Sequence, residues 1–210
     1  QMFMDIEDAS VDYQSGWPAV SAADASLLLR DQGLAISVSE GQIYNSKIEH
    51  GWVYLPPGSQ NLHLVAAISG DSADIGKTLL NSPVIGGDNQ ELRQWSLSGH
   101  TNTRLNLMIP LNGGEPDVDV STVFPDLTLT SDSRKLSIEK LAGTIGYRNQ
   151  SGLYAKSLTG KFFGHPLSAS IATTGEGRTE KITTKLKSAI SMAQLRQWSG
   201  IDMLAVADGV

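Results

Sequence analysis

The side chains here that could do chemistry are few, and their spacing does not suit it. The four histidines, His50, His63, His100 and His165, show none of the short spacings that put two imidazoles on one metal ion. They read as strand-face or turn histidines. Asp117 and Asp119 could offer two carboxylates to a divalent cation. In Asp117-Val118-Asp119-Val120, however, the alternation puts both on the solvated face of a strand. Gly86-Gly87 and Gly113-Gly114 are simpler as turns than as phosphate cradles. The chain holds no nucleophile elbow, no Walker loop and no dinucleotide fingerprint after a strand. Trp17, Trp52, Trp95 and Trp198 could in principle stack on sugars, but they are scattered over loop, strand and helix ends, where local packing accounts for them. Asn149-Gln150-Ser151 fits the glycosylation sequon, a pattern common by chance. Cysteine is absent, which removes thiolate chemistry and disulfides together. The expectation is a protein that is not an enzyme and uses no cofactor and no metal.

The elements that carry these residues alternate with period two, the pattern of half-buried strands. Residues 3–13 read as one bulged strand or a pair. Strands follow at 25–30, 33–44, 48–55 and 62–68, with Gly41 expected to break the third at a turn and leave Ile43-Tyr44 as a short strand of its own. At Ser72 the period changes. Asp71 or Ser72 can cap a short helix near 72–80 in which Ile75, Leu79 and Leu80 share a face, and Pro83 limits it. A further helical turn is read over 91–95. Strands resume at 103–111, 118–122, 127–129, 138–147, 153–158, 167–173 and 182–190, and a second short helix is expected near 191–198. Aromatic residues make up only 6% of the chain, and Ser, Thr, Gly, Asp and Asn fill the gaps. The fold class is mainly β.

The formal net charge is −6 and the pI about 5.1. That balance argues against a nucleic-acid footprint, since no basic stripe is evident, and against electrostatic docking on an anionic leaflet. No apolar run reaches the roughly 20 residues that span a bilayer as a helix. The chain starts at Gln1 and ends in a strand-like run at Val210, so it is expected to be a segment of a longer protein.

One stretch comes back. Gly33, Leu34 and Gly41 recur as Gly152, Leu153 and Gly160, each 119 residues on, in the same order of strand, glycine, paired apolar residues, turn and strand. This divides the chain into two β-rich modules, 1–115 with its helix near 72–80 and 116–210 with its helix near 191–198. Ala155 and Ser157 stand where the first copy has Ile36 and Val38, which predicts a thinner apolar lining there.

Counting about 14 strand segments at ~4.8 Å spacing gives a sheet about 65 Å wide. Two short helices could cover on the order of 300 Å² of roughly 1,200 Å² of apolar sheet surface. The sheet must therefore close on itself as a sandwich or barrel, or curl as an open groove around something not in this chain. The first outcome would make a structural or interaction module, such as an envelope scaffold or a carbohydrate-binding sandwich. The second would leave a contiguous apolar surface, which marks an interaction site.

Residues 13–48 (YQSGWPAVSAADASLLLRDQGLAISVSEGQIYNSKI), 62–84 (LHLVAAISGDSADIGKTLLNSPV) and 92–111 (LRQWSLSGHTNTRLNLMIPL) resemble the periplasmic repeat region of the YhdP/AsmA-like family. Residues 144–172 and 191–200 look like its next unit, so the resemblance spans essentially the whole chain. It implies a long, strongly curled antiparallel sheet forming an open apolar groove. It also implies a role in a periplasm-spanning bridge that passes phospholipid between the inner and outer membranes, in a protein anchored in the inner membrane. Membrane contact would come through parts of the protein outside this segment, with phospholipid acyl chains as the partner and no nucleic acid. The lining positions it implies are Leu34, Ile36, Val38, Leu62, Leu64, Ile68, Leu105, Leu107, Ile109, Val118, Val120, Leu127, Leu129, Ile145, Leu153, Leu167, Ile171, Ile182 and Leu186. The family has no catalytic residues to carry over.

Overall fold

The structure, a computed structural model, describes residues 1–12, 18–81, 93–133, 135–175 and 181–190, with the side chains of 79–81 left out. In chain order the elements are β1 (Met2–Val11), β2 (Val20–Arg30), β3 (Gly33–Ile43), β4 (Ser46–Leu55), β5 (Asn61–Asp71), α1 (Ser72–Asn81), β6 (Ser96–Pro110), β7 (Asp117–Ser131), β8 (Leu136–Arg148), β9 (Gly152–Phe162), β10 (His165–Thr174) and β11 (Lys181–Ser188). All eleven strands form one antiparallel sheet in sequence order, with β1 at one edge and β11 at the other, so it is not closed into a barrel. Both expected modules contribute to this one sheet, and β6 and β7 pair across the point where the modules meet. The helix expected near 191–198, the run ending at Val210, Gly86-Gly87 and two tryptophans, Trp17 and Trp198, lie outside the described residues. So do residues 91 and 92 of the turn expected over 91–95.

Two readings of the alternation are corrected. Gly41 does not break β3: it has no positive φ, and a Cβ there would lie 3.3 Å from Ile48 Cδ1 and 3.4 Å from Val20 Cγ1. Its role is to let neighbouring strands pack closely. The turn falls at Tyr44-Asn45, with Tyr44 at φ 55°. Residues 118–122 and 127–129 are likewise one strand, β7. It runs through Pro125 because a bulge between Phe124 and Leu127 takes up the proline's missing donor.

The recurrence is sharper in the structure than in the residues. The β3–β4 hairpin returns as β9–β10 with all four strand boundaries displaced by 119 residues. Tyr44 (φ 55°) and Phe163 (φ 49°) open the two turns in the same left-handed conformation. Register shifts mark most of the strand pairs. Each bulge adds local right-handed twist, and the increments accumulate across the sheet as coiling.

Candidate functional site

Register assigns every strand residue to one of two faces. On one of them Met4, Leu27, Ile36, Val53, Leu64, Leu107 and Val118 form an unbroken row from β1 to β7. The next row is Ile6, Ala25, Val38, Gly51, Ala66, Leu105, Val120, Tyr147 and Leu153. Leu34 and Leu55, then Leu62 and Ile109, make a third. Ile48, Ile68, Thr103, Thr122 and Ile145 make a fourth. Leu129 pairs with Ile138 and Leu127 with Leu141, while Leu167, Ala169, Ile171 and Thr173 carry the face onto β10 and Ile182 and Leu186 onto β11. Every lining position implied by the resemblance lies on this face. Ten strand spacings make it about 48 Å long.

Along β2 to β7 most apolar side chains of this face are half-buried, while Ile48, Phe124 and Leu127 are buried. Among the described residues only α1 lies over the sheet as a second layer, against β6 and β5. In the row Ala25, Val38, Gly51 and Ala66 the residues on β4 and β5, Gly51 and Ala66, are small beside Val53 and Leu64 of the neighbouring row. The face is therefore lower at β4 and β5, with Val38 standing between Ala25 and Gly51.

Burial deepens where the glycines sit. Gly143 on β8 stands between Phe124 on β7 and Leu158 on β9. With no side chain there, Phe124 (4% exposed) and Leu158 (6%) join Leu127 and Ala155 in one cluster, packed by Leu141, Ile145, Ala169 and Ile171. A Cβ on Gly143 would lie 2.7 Å from Leu158 Cδ2. The thinner lining expected from Ala155 and Ser157 is overturned. One extra residue bulges β9 between Ala155 and Leu158, so Leu158, not Ser157, takes the inward position. Ala155, at 1% exposure, is the most buried apolar residue in the cluster.

The α1 end of the face is polar and tightly satisfied. Asp71 Oδ1 accepts a hydrogen bond from Ala73 N at 3.0 Å and caps the helix. Asp74, buried in the first turn, accepts from Asn45 N at 3.0 Å and from Ser46 Oγ at 2.8 Å, which ties the helix to the β3–β4 turn. Lys77 Nζ lies 3.4 Å from Asp74 Oδ1 and 5.6 Å from the centre of the Tyr44 ring. Burial pushes the Asp74 carboxyl up. The bonds from Ser46 and Asn45 and the Lys77 ammonium outweigh it and hold the carboxyl below its usual range. Gly70 is required here, since a Cβ would run into the Ser46 side chain. This anchor was missed because the residues at 71–74 read as a helix start, with nothing in the pattern to name the turn 28 residues upstream that Asp74 grips.

The residues with chemical potential are apart. His50, His63, His100 and His165 sit on β4, β5, β6 and β10, and His100 Nε2 is 3.0 Å from Ser69 Oγ. Asp119 accepts from Arg148 Nε at 2.9 Å across the β7–β8 ladder. Asn149 ties the β8–β9 turn to the start of β7, accepting from Val118 N at 2.7 Å and donating to Pro116 O at 3.0 Å. No group of three potential metal ligands occurs among the described residues.

The opposite face is mostly polar, with Trp52 (56% exposed), Tyr54 (48%) and Val65 (44%) standing out on β4 and β5. Its charge is unevenly spread. Asp5, Glu7, Asp8 and Asp24 gather on β1 and β2, whereas residues 152–175 and 181–190 contain no Asp or Glu and five lysines. The expectation that no basic stripe exists is overturned, because the chain average cancels two local charges of opposite sign.

These features define a class: an open, single-layer antiparallel sheet with one continuous apolar face. The model of the YhdP family, described as YhdP protein, matches residues 1–209. The chain belongs to that family, which is associated with the cell envelope. No curated protein and no solved structure matches it. No helix among the described residues is long and apolar enough to cross a membrane.

Proposed function

We propose that this segment is part of a lipid-transfer bridge that carries phospholipid acyl chains along its apolar face through the periplasm, between the inner and outer membranes. The observation that supports it most is the register-linked apolar face, eleven strands long and for the most part half-exposed along β2 to β7. Each methylene laid on such a surface gains about 0.8 kcal/mol by leaving water. The apolar rows run across the strands, so an extended chain would lie along the sheet rather than along a strand. Headgroups stay in water at the open edge. Contacts with successive rows are non-directional and nearly equivalent, so sliding meets low barriers. No bond is made or broken, and the reading needs no catalytic residue, cofactor or metal.

The test is native mass spectrometry of the purified chain with Leu107→Asp and Leu186→Asp. The expected result is co-purified phospholipid in the parent and a folded Leu107→Asp variant with reduced lipid occupancy. Leu186, 49% exposed at the edge strand, should tolerate Asp with little loss of stability. Absence of phospholipid from the parent, together with unfolding of Leu107→Asp, would instead mark this face as a closed structural core.

A further inference from the structure

We infer that the outward face of β9–β11 is a docking surface for anionic phospholipid headgroups at a membrane surface. It is separate from the apolar face and independent of whether that face carries acyl chains. Lys156, Lys161, Lys181, Lys185 and Lys187 are all exposed, and none is in an ion pair among the described residues. Register places Lys187 opposite Ser168, Lys185 opposite Ser170, Lys181 opposite Thr174 and Lys161 opposite Pro166, all on the side away from the apolar rows. Lys156 lies in the β9 bulge beside them. Among the described residues, the carboxylate nearest by register is Glu139, opposite Lys161 on β8, and it forms no ion pair with that lysine.

The net charge of −6 does not cancel this patch. The acidic group on β1 and β2 is about 40 Å away along the sheet, and at physiological ionic strength charges are screened beyond roughly 8 Å. The chemistry favours headgroups over a protein. Stable protein interfaces centre on buried aromatic or large apolar anchors; the positions between these lysines are Ser, Thr, Ala and Pro, with one aromatic, Tyr154, that is half-buried and has the Arg148 guanidinium 5.3 Å from its ring centre. Ammonium groups on a broad surface with no exposed apolar anchor suit a fluid anionic layer, where attraction is non-directional. A second copy of the chain is the rival occupant. Its acidic corner is already engaged, with Asp5 Oδ1 accepting from Ser26 Oγ and Asp24 Oδ1 from Asp8 N, each at 2.9 Å.

The experiment is co-sedimentation of the full chain with vesicles of equimolar phosphatidylcholine and phosphatidylglycerol, and with vesicles of phosphatidylcholine alone. Partitioning to the anionic vesicles that falls with added salt is expected, with little to the neutral ones. Lys185→Glu/Lys187→Glu should lower the anionic partition coefficient by more than about twentyfold, since each lysine near such a surface contributes roughly fivefold. Lys47→Glu, on β4, should leave it within about twofold. The double variant should keep its urea midpoint and any lipid that co-purifies with the parent, so loss of docking and loss of cargo are read separately. Equal partitioning to both vesicle types, no partitioning to the anionic ones, or no effect of the double reversal would each overturn the proposal. So would salt-sensitive self-association, without vesicles, that the double variant abolishes, since the lysines would then pair with the acidic corner of another copy.

Discussion

Replacing Asp74 by Ala should destabilise the fold strongly at neutral pH and less in acid. The carboxylate is 3% exposed and accepts hydrogen bonds from Asn45 N and Ser46 Oγ. Hydrogen bonds to a charged group contribute about 1.5–3 kcal/mol each, and removing the acceptor leaves the buried Ser46 hydroxyl without it. Against this stands the recovered cost of burying the charge, several kcal/mol for an ion in a protein interior. The lowered pKa says that the bonds win, so a net loss of about 2–3 kcal/mol is expected. Lys77→Ala should cost no more than about 0.5 kcal/mol, because its ammonium is solvated. The sign with pH follows from the shift. A carboxyl held below its ordinary 3.8 contributes stability fully above that value and loses it as pH falls through the lowered folded value. Urea unfolding followed by tryptophan fluorescence should therefore show the gap between parent and Asp74→Ala constant from pH 7 to about 5 and narrowing below about 4. A gap under 1 kcal/mol at pH 7, or one that does not change with pH, would refute the anchor.

Gly143→Ala should lower stability by about 2–4 kcal/mol, through its clash with Leu158 and its φ of 146°. Gly113→Ala, at φ 88° with nothing within 4 Å, should cost only about 1 kcal/mol. Thermal melts of the two variants compare them directly, and equal losses would contradict the packing role given to Gly143. Thr103 and Thr122 share a hydroxyl hydrogen bond of 2.9 Å on the apolar face. Either single Thr→Val change should cost about 1 kcal/mol, and the double change less than the sum by a similar amount. A double-mutant cycle with no coupling would show that the two hydroxyls act separately.

Period-two alternation was enough to name the strands and the apolar face, because side-chain direction in a strand is fixed by position alone. Leu34, Ile36 and Val38 could face only one way once Gly33 began the strand. It failed where an extra residue changes the count. Ser157 looked like a polar intruder in the lining, and only the β9 bulge shows that Leu158 replaces it. Gly41 was misread for a related reason. A glycine in a strand can mean a turn or a close approach, and nothing local distinguishes them until Ile48 and Val20 are seen against it. Asp74 could be placed in a helix start but not on its partner, because Asn45 and Ser46 are brought to it by two intervening strands. The lysines of β9–β11 were in plain view and were averaged away by the acidic residues of β1 and β2.

The strict sequence order of the sheet bears on how the chain folds. Each strand pairs only with the strands before and after it, so closing any contact costs a short loop, with the α1 crossover the longest step among the described residues. Relative contact order stays low for a β protein of this size, which favours fast zippering over a slow search for distant partners. A nucleus such as the β3–β4 hairpin can form first and grow at both sides, as in repeat proteins where each unit rests only on its neighbours. A chain built this way can fold progressively from its first strands while later ones are still being delivered.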